Sequence, residues 1–369
     1  MDNTKILAIE TSFDETAVAI MSGRKLISNV LSSSVDLHKK WGGVVPSIAR
    51  KAHLDNIEYV YKEALQRGGL EIEDIDYIAV TYGPGLAIAL EVGLQFAQNL
   101  AYDNDKPLIP INHMEGHLLS PFALNSNGKS VLPDGKDIKD FFPAMALLVS
   151  GNHTELVYAD KIGDYAVIGE TLDDAAGEAF DKVARMLNFG YPGGPVINHV
   201  VKKYRSENKN WKSTIGEFAL PVPMKDSGDL NFSYSGLKTA CMYKIKELRE
   251  SGINDSEWAW KFCNEYIDVV LQSLEIKLEA ALKKYPDVRS VIIGGGVMSN
   301  EIIVRGIGRL SRSMDRDFLI PEKKLRTDNA GMIGVAAYFQ VAGGESGLCD
   351  RDVFSLDRVP NLRLGDEVF

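Results

Sequence analysis

The sequence predicts an α/β protein of two similarly built lobes, and three observations carry that prediction. An apolar strand meander opens the chain, strands run into glycine loops that open helices, and the same succession returns in the second half. Lys5–Glu10 is apolar and β-rich, Thr11-Ser12-Phe13-Asp14-Glu15 makes a polar turn, and Ala17–Met21 and Lys25–Leu31 continue the meander. At 47–67, Ile48, His53, Ile57, Val60 and Leu65 recur at near-helical spacing, giving a helix whose apolar face is either core or a partner surface. The strand Tyr77–Thr81 then enters Gly83-Pro84-Gly85 ahead of a helix rich in small and apolar residues.

The second half follows the same plan. Ala144–Val149 reads as a strand, Ser150-Gly151-Asn152-His153-Thr154 as a polar turn, and Glu155–Tyr158 and Tyr165–Ile168 as the rest of a meander. Helices are expected at about 173–187 and 257–285, then the strand Ser290–Ile293, the loop Gly294-Gly295-Gly296 and another helix. The two copies of the plan lie roughly 140 to 210 residues apart. Ligands of open α/β sheets sit at strand ends, so a cleft between facing lobes is the expected place for a site.

Bulk properties narrow the function classes. The chain has 369 residues, 45% of them hydrophobic, enough for two packed domains or one large one. Its net charge of -10 argues against free-standing nucleic-acid binding, which needs clustered Lys and Arg. Cys241, Cys263 and Cys349 are scattered without CxxC spacing, which speaks against a thiolate zinc site or a disulfide framework. No signal-like start and no apolar run of about eighteen residues is present, so a cytoplasmic protein without a membrane anchor is expected.

Several stretches carry chemistry. His113 and His117, in Asn112-His-Met-Glu-Gly-His117, stand about 40° apart around a helix that Asn112 can cap, so both can reach one cation. Asp328, in Arg326-Thr-Asp-Asn-Ala330, is the best candidate third ligand; two surface histidines are the plain alternative. A zinc-protease reading fails, because Glu115 lies about 200° around the helix from His113 rather than directly after it. The two glycine loops suit a phosphate or nucleotide, yet fit neither common phosphate-loop pattern, and tight turns need glycine anyway. Five carboxylates between Glu170 and Asp181 read as a solvated helix face, although Ala175, Ala176 and Gly177 keep one side small. Tyr191-Pro-Gly-Gly-Pro195 reads as a rigid turn, and the turn 149–154 gathers enough small polar groups for a ligand site.

Taken in order, Glu10-Thr-Ser-x-Asp14-Glu15-Thr16, Gly42-Gly-Val-Val-Pro46, Gly83-Pro-Gly-Leu86, the His113–His117 motif, Ser150-Gly-x-His153-Thr154, the run from Asp173 to Lys182, Phe232-Ser-Tyr-Ser-Gly-Leu-Lys238 and Thr327-Asp-Asn-Ala330 closely resemble the bacterial TsaD branch of the universal tRNA threonylcarbamoyltransferases, once called O-sialoglycoprotein endopeptidases. The resemblance covers about residues 5–340. It implies an actin-like, sugar-kinase-type (ASKHA) fold with duplicated RNase H-like lobes. On that basis 1–122 forms the first lobe, 123–142 a polar surface insertion and 143–328 the second lobe with the adenylate site; 329–345 is a helix returning to the first lobe and 346–369 a loose C-terminal extension.

The resemblance also implies an activity: transfer of threonylcarbamoyl from threonylcarbamoyl-AMP to the exocyclic amine of the adenosine 3′ of the anticodon, in tRNAs reading ANN codons. Carried over by position, His113, His117 and Asp328 ligate one divalent metal, Fe(2+) or else Zn(2+). Val149, Ser150, Gly151, Asn152, His153, Asp181, Gly194 and Asn300 contact the adenylate, with Asp14, Glu15 and Gly295 as further candidates. No catalytic nucleophile is assigned. Implied partners are tRNA, a TsaB-like paralogous subunit and a TsaE-like ATPase.

The chain departs from the family pattern in three places. Phe13 replaces the usual cysteine of the first turn, and Asn152 the usual second glycine of the Ser-Gly-Gly-His turn; an extra glycine and Met298 also shift the loop before Asn300. The rival readings are an ATP-dependent kinase or ATPase of the same fold and a non-catalytic scaffold paralogue. Two histidine ligands argue against the first, because phosphoryl-transfer sites hold Mg²⁺ with carboxylates and waters. Retention of the three ligands argues against the second.

Overall fold

The computed structural model describes residues 3–208 and 215–366. They divide into two compact units. One takes the chain up to Asp140, with Lys161–Ala166 and the part from Leu319 onward; the other holds Phe141–Asp160 and Val167–Phe318.

The first unit begins with β1 (Lys5–Glu10), β2 (Glu15–Ser22) and β3 (Lys25–Ser33). A short helix α1 (Val35–His38) and the long α2 (Pro46–Gly68) lead to β4 (Tyr77–Gly83), α3 (Ala87–Asp103), β5 (Leu108–Asn112) and α4 (His113–Leu119). The sheet order is β3-β2-β1-β4-β5, with β1 antiparallel to β2 and parallel to β4. Ile6, Leu7, Ala8 and Ile9 are fully buried, as a strand covered on both faces requires. α2 has Pro46 at its first position and ends at Gly69, whose φ of 63° supplies the left-handed cap. Its Ile57 and Val60 are buried in the core, while Leu54 and Tyr59 are exposed.

The second unit repeats the arrangement. β6 (Ala144–Val149), β7 (Thr154–Lys161) and β8 (Asp164–Glu170) form the meander, followed by α5 (Ala176–Met186), α6 (Gly193–Glu207), α7 (Ser235–Glu250) and α8 (Asp255–Lys284). β9 (Ser290–Gly294), α9 (Glu301–Ser313) and β10 (Asp317–Leu319) complete it. The order β10-β9-β6-β7-β8 is the first sheet's order read from the other edge, with β6 again antiparallel to the next strand and parallel to the later one. The duplicated plan expected from the sequence is therefore real at the level of strand order. Helix α10 (Ala330–Ala342) packs on β1, β2 and α4 of the first unit.

Several features differ from expectation. β5 has no counterpart among the expected strands; it carries Pro110 and lies at the sheet edge, where a missing N–H is tolerated. The Gly193-Gly194-Pro195 segment does not stop the chain in a turn but forms the first turn of α6. The C-terminal extension is not loose up to Asp366. Val353, Leu356 and Leu362 join the core of the first unit, Gln98 Nε2 donates to the carbonyls of Val353 (2.9 Å) and Leu356 (2.8 Å), and Val359 N donates to Tyr82 O (2.7 Å). Its apolar residues have no period because they fit the irregular surface left by α3 and β4. Residues 367–369 lie outside the described residues. The stretch 125–140 is exposed along most of its length, in keeping with its polar composition.

Candidate functional site

Two helix starts build the first centre. Asn112 Oδ1 accepts from Met114 N (2.8 Å), so α4 begins where His113 leaves the end of β5. Asn329 Oδ1 accepts from Met332 N (3.1 Å), which fixes the start of α10 directly after Asp328. The two helices approach closely at Gly116, where a Cβ would lie 3.0 Å from Ile333 Cδ1 and 3.2 Å from Met332 Cγ. The result brings together residues that are far apart in sequence. Asp328 Oδ1 lies 3.1 Å from His117 Nε2 and 3.6 Å from His113 Nε2, and the three donor atoms are all within 4.8 Å of one another.

The donor set fits a divalent cation. Both His117 ring nitrogens are buried without a hydrogen bond, and its Nε2 meets the Asp328 carboxylate at short range but off hydrogen-bond geometry. A buried imidazole left in that state costs about 1–3 kcal/mol unless something else uses its lone pair. Burial lowers the His117 pKa, favouring the neutral form that can act as a ligand, although Asp328 opposes the shift.

Sequence reasoning missed Glu10, which ends β1 and is fully buried. Its Oε1 accepts from Ser12 N (2.5 Å); its Oε2 accepts from Thr81 Oγ1 (2.5 Å) and lies 3.0 Å from His113 Nδ1. Ser12 Oγ is 3.2 Å from the same nitrogen. Burial drives the His113 pKa down, but Glu10 and Asp328 outweigh it and hold it at about 9 with no metal bound. For Glu10, burial raises the pKa and His113 overcomes that, leaving the carboxyl below its ordinary value. A carboxylate at the end of an apolar strand was the available signal, but strand ends carry such residues for many reasons.

Glu115 turns away from this centre, as its place on the helix requires. It accepts from Tyr165 Oη (3.1 Å) and Gln340 Nε2 (2.9 Å). Asp14 ends the turn after β1, and Glu15 begins β2. Asp14 O accepts from Ser34 N and Oγ (2.9 Å each), and Ser33 Oγ donates to Glu15 (3.2 Å). Burial, then Asp14 and Asp328, push the Glu15 carboxyl well up.

In the second unit, backbone and two small hydroxyl side chains together shape the turn at 149–154. Ser150 N donates to His153 O (2.8 Å) and His153 N to Ser150 Oγ (3.1 Å), closing the turn. Thr154 Oγ1 accepts from Ala176 N (3.0 Å), tying the start of α5 to it. A Cβ on Gly177 would lie 2.4 Å from Ser150 O, and one on Gly295 2.4 Å from Val149 O, so only glycine allows these approaches. Asp181 Oδ1 accepts from Gly193 N (2.6 Å) at the head of α6, and Asn300 Oδ1 accepts from Ile302 N (3.0 Å) as the cap of α9. Gly151 and Gly194 each face open space, and Asn152 is exposed. Within the turn Ser150 is tied to His153, and Gly295 lies directly against Val149 and Ser150, while Asp181 meets Gly193, the residue before Gly194, at the junction of α5 with α6.

Comparison with known proteins adds the family. The family model described as TsaD, tRNA N6-adenosine threonylcarbamoyltransferase, matches residues 25–335. The chain belongs to the TsaD family. A tRNA N6-adenosine threonylcarbamoyltransferase of Clostridium perfringens is 41% identical over 99% of this chain and 100% of its own length. That of Thermosipho africanus is 40% identical over 97% of this chain and 99% of its own. Among solved structures, component A of (R)-2-hydroxyglutaryl-CoA dehydratase from Acidaminococcus fermentans is similar in fold. Its TM-score is 0.50 at 12% identity, over 92% of this chain and 99% of that one.

The TsaD-type motifs of the second unit have a visible structural task. Asp173 accepts from Ser233 Oγ, Tyr234 N and Ser235 Oγ, and so holds the start of α7. Burial acts to raise its pKa, but these donors outweigh it and hold the carboxyl below its ordinary value. Asp174 pairs with Lys182 (2.8 Å) and Lys238 (2.6 Å). The Asp173–Lys182 run is therefore more than a solvated face: it locks to the Phe232–Lys238 motif. In the first turn Phe13 places its ring edge-on to His113 at 6.3 Å and its carbonyl 2.9 Å from His53 Nε2.

Proposed function

We propose that the chain transfers the threonylcarbamoyl group of threonylcarbamoyl-AMP to the exocyclic amine of the adenosine 3′-adjacent to the anticodon, in tRNAs that read ANN codons. The observation that carries this reading is the convergence of His113, His117 and Asp328 in a chain matched by the family model over 25–335. We assign these three residues to one divalent metal, with Fe(2+) as the native ion and Zn(2+) accepted by the same donors. When bound, such an ion supplies Lewis-acid polarisation of a carbonyl or a hold on the threonyl part.

The turn Val149-Ser150-Gly151-Asn152-His153, with Asp181, Gly194, Asn300 and the neighbouring Gly295, is proposed to hold the adenylate. The open faces of Gly151 and Gly194 support this, because a flat ligand can approach backbone there without meeting a Cβ. Asp14 and Glu15 remain further candidates on the first unit. The donor is a mixed anhydride, so orientation is the main task of the chain. The amine lone pair attacks the carbamoyl carbon, the bond from that carbon to the phosphate oxygen breaks, and AMP leaves with the electron pair while the amine loses a proton. No covalent enzyme intermediate is involved. Consistent with that, burial pushes the Cys241 thiol up to about 12 and the buried Cys263 thiol higher still, so neither is a ready nucleophile.

The net charge of -10 gives the chain no general attraction for phosphate, which supports tRNA being held with a TsaB-like subunit and a TsaE-like ATPase. Among the described residues no helix is long and apolar enough to cross a membrane, and we place the protein in the cytoplasm. The test supplies purified chain, threonylcarbamoyl-AMP and unmodified tRNA, with and without the two partner proteins, and reads nucleosides by mass spectrometry. Threonylcarbamoyladenosine is expected; its absence under every condition overturns the proposal.

A further inference from the structure

We infer that Glu10 is a positioning residue for the metal site, fixing the tautomer and orientation of His113 and thereby setting how tightly the centre holds a divalent cation. The inference rests on the assignment of His113, His117 and Asp328 as ligands made above.

Three observations support it. First, Glu10 lies on the far side of the imidazole from Asp328: His113 Nδ1 is 3.0 Å from Glu10 Oε2, while Nε2 faces Asp328. An ionised carboxylate only accepts, so this contact keeps a proton on Nδ1 and makes Nε2, on the side of Asp328, the nitrogen that gives up its proton to serve a metal. Second, Glu10 is itself held. Ser12 N donates to Oε1 and Thr81 Oγ1 to Oε2, and the carboxylate is fully buried among β1, β4 and the first turn. Third, the charges balance. Two neutral imidazoles and one Asp carboxylate around a divalent ion leave one positive charge in a buried place, and Glu10 cancels it from the other side of the ring.

The carboxylate receives three donors, and an amide cannot serve all three. With its NH₂ toward Ser12, Glu10→Gln loses that N–H. With its NH₂ toward His113, it needs Nδ1 as an acceptor, which moves the proton to Nε2 and removes the ligand lone pair. Groups placed in this way behind a metal-bound histidine change metal affinity by about 10- to 100-fold.

The test measures Zn²⁺ affinity by competition with a chromogenic chelator, and the visible spectrum of the Co²⁺-loaded protein, in wild type, Glu10→Gln and Glu10→Ala. NMR of protein carrying ¹⁵N-labelled histidine reads the His113 tautomer, and metal-free melting reports the fold. The expected result is Zn²⁺-loaded wild type with the His113 proton on Nδ1, variants weaker for Zn²⁺ by about 10- to 100-fold with an altered Co²⁺ spectrum, and Glu10→Gln still folded without metal. Folded variants with wild-type Zn²⁺ affinity overturn the inference. So does a wild-type His113 protonated on Nε2 alone, a measurement that decides the matter even if neither variant folds. A wild type that binds neither ion at His113, His117 and Asp328 overturns the proposed metal site instead.

Discussion

Glu115 provides the sharpest test of how the metal-bearing helix is put together. Its carboxylate takes one hydrogen bond from Tyr165 and one from Gln340, and reaches none of the three proposed ligands. Glu115→Ala removes both acceptors. A buried donor left unsatisfied costs about 1–3 kcal/mol, but Tyr165 and Gln340 are only half-buried and regain part of that from water. A net loss of about 1–3 kcal/mol is expected, read by chemical denaturation of the metal-free protein. Glu115→Gln keeps an oxygen for one donor, and the Gln340 amide can turn to accept from the new NH₂, so it should fold nearly as well. The pH dependence has a definite sign. Burial raises the Glu115 pKa above its ordinary value of 4.5, against the pull of Gln340 and Tyr165. A raised carboxyl contributes stability that is complete below the unfolded pKa and lost as pH rises through the folded one. The stability of Glu115→Gln relative to wild type should therefore climb as pH rises from about 4.5 and then level off. Metal content should be unchanged in both variants. Loss of metal or of transferase activity in a fully folded Glu115→Gln protein would refute the assignment of Glu115 as purely structural.

Three further outcomes are expected. His113→Ala should remove bound metal and activity together while the metal-free fold melts cooperatively; metal retained at wild-type stoichiometry would show that the histidine is not a ligand. His53 is buried between Thr16 Oγ1 (2.8 Å) and Phe13 O (2.9 Å), and burial lowers its pKa below 6.5 despite the Phe13 carbonyl. Its stabilising effect should be complete above pH 6.5 and decline below it, so the stability gap between wild type and His53→Leu should narrow on acidification; a gap that stays constant counts against this. Gly295→Ala puts a Cβ 2.4 Å from Val149 O at a φ of +93°, clashing with backbone that cannot move cheaply, and should cost about 2–5 kcal/mol in denaturation. A loss under about 1 kcal/mol would mean that the loop can yield.

What the sequence made legible followed from chemistry that is local. Two histidines four apart announce a shared ligand, and a helix cap of Asn type before them fixes where that helix begins. Apolar runs such as Ala144–Val149, bounded by polar turns, locate strands to the residue. What escaped was non-local. Glu10 meets His113 only because β1 and β5 flank β4 in the sheet, and pairing order is not written in either segment. The task of Asp173 depends on a partner sixty residues on, so the charge run looked like a solvated face. The tail around Val353–Leu364 packs by shape, and no period marks it.

The duplication reaches beyond strand order into the way each turn is clamped. In the first unit, the loop after β4 presses Gly85 onto Ser12, where a Cβ would meet the Ser12 carbonyl at 2.8 Å. In the second unit, the loop after β9 presses Gly295 onto Val149, at the end of β6 itself. A helix glycine completes each clamp: Gly93 of α3 against Thr11, where a Cβ would lie 2.3 Å from Oγ1, and Gly177 of α5 against Ser150. The same backbone device then serves different chemistry because of what fills it. The first turn closes over Glu10 and Ser12, both fully buried, so its polar groups are committed to His113 and to each other. The second leaves Gly151 and Asn152 exposed, and its backbone stays accessible. One copy of a common turn thus supports a histidine of the proposed metal site, and the other carries the backbone proposed to meet the adenylate. That division follows from the single buried carboxylate at the end of β1, for which the end of β6 has Val149 instead.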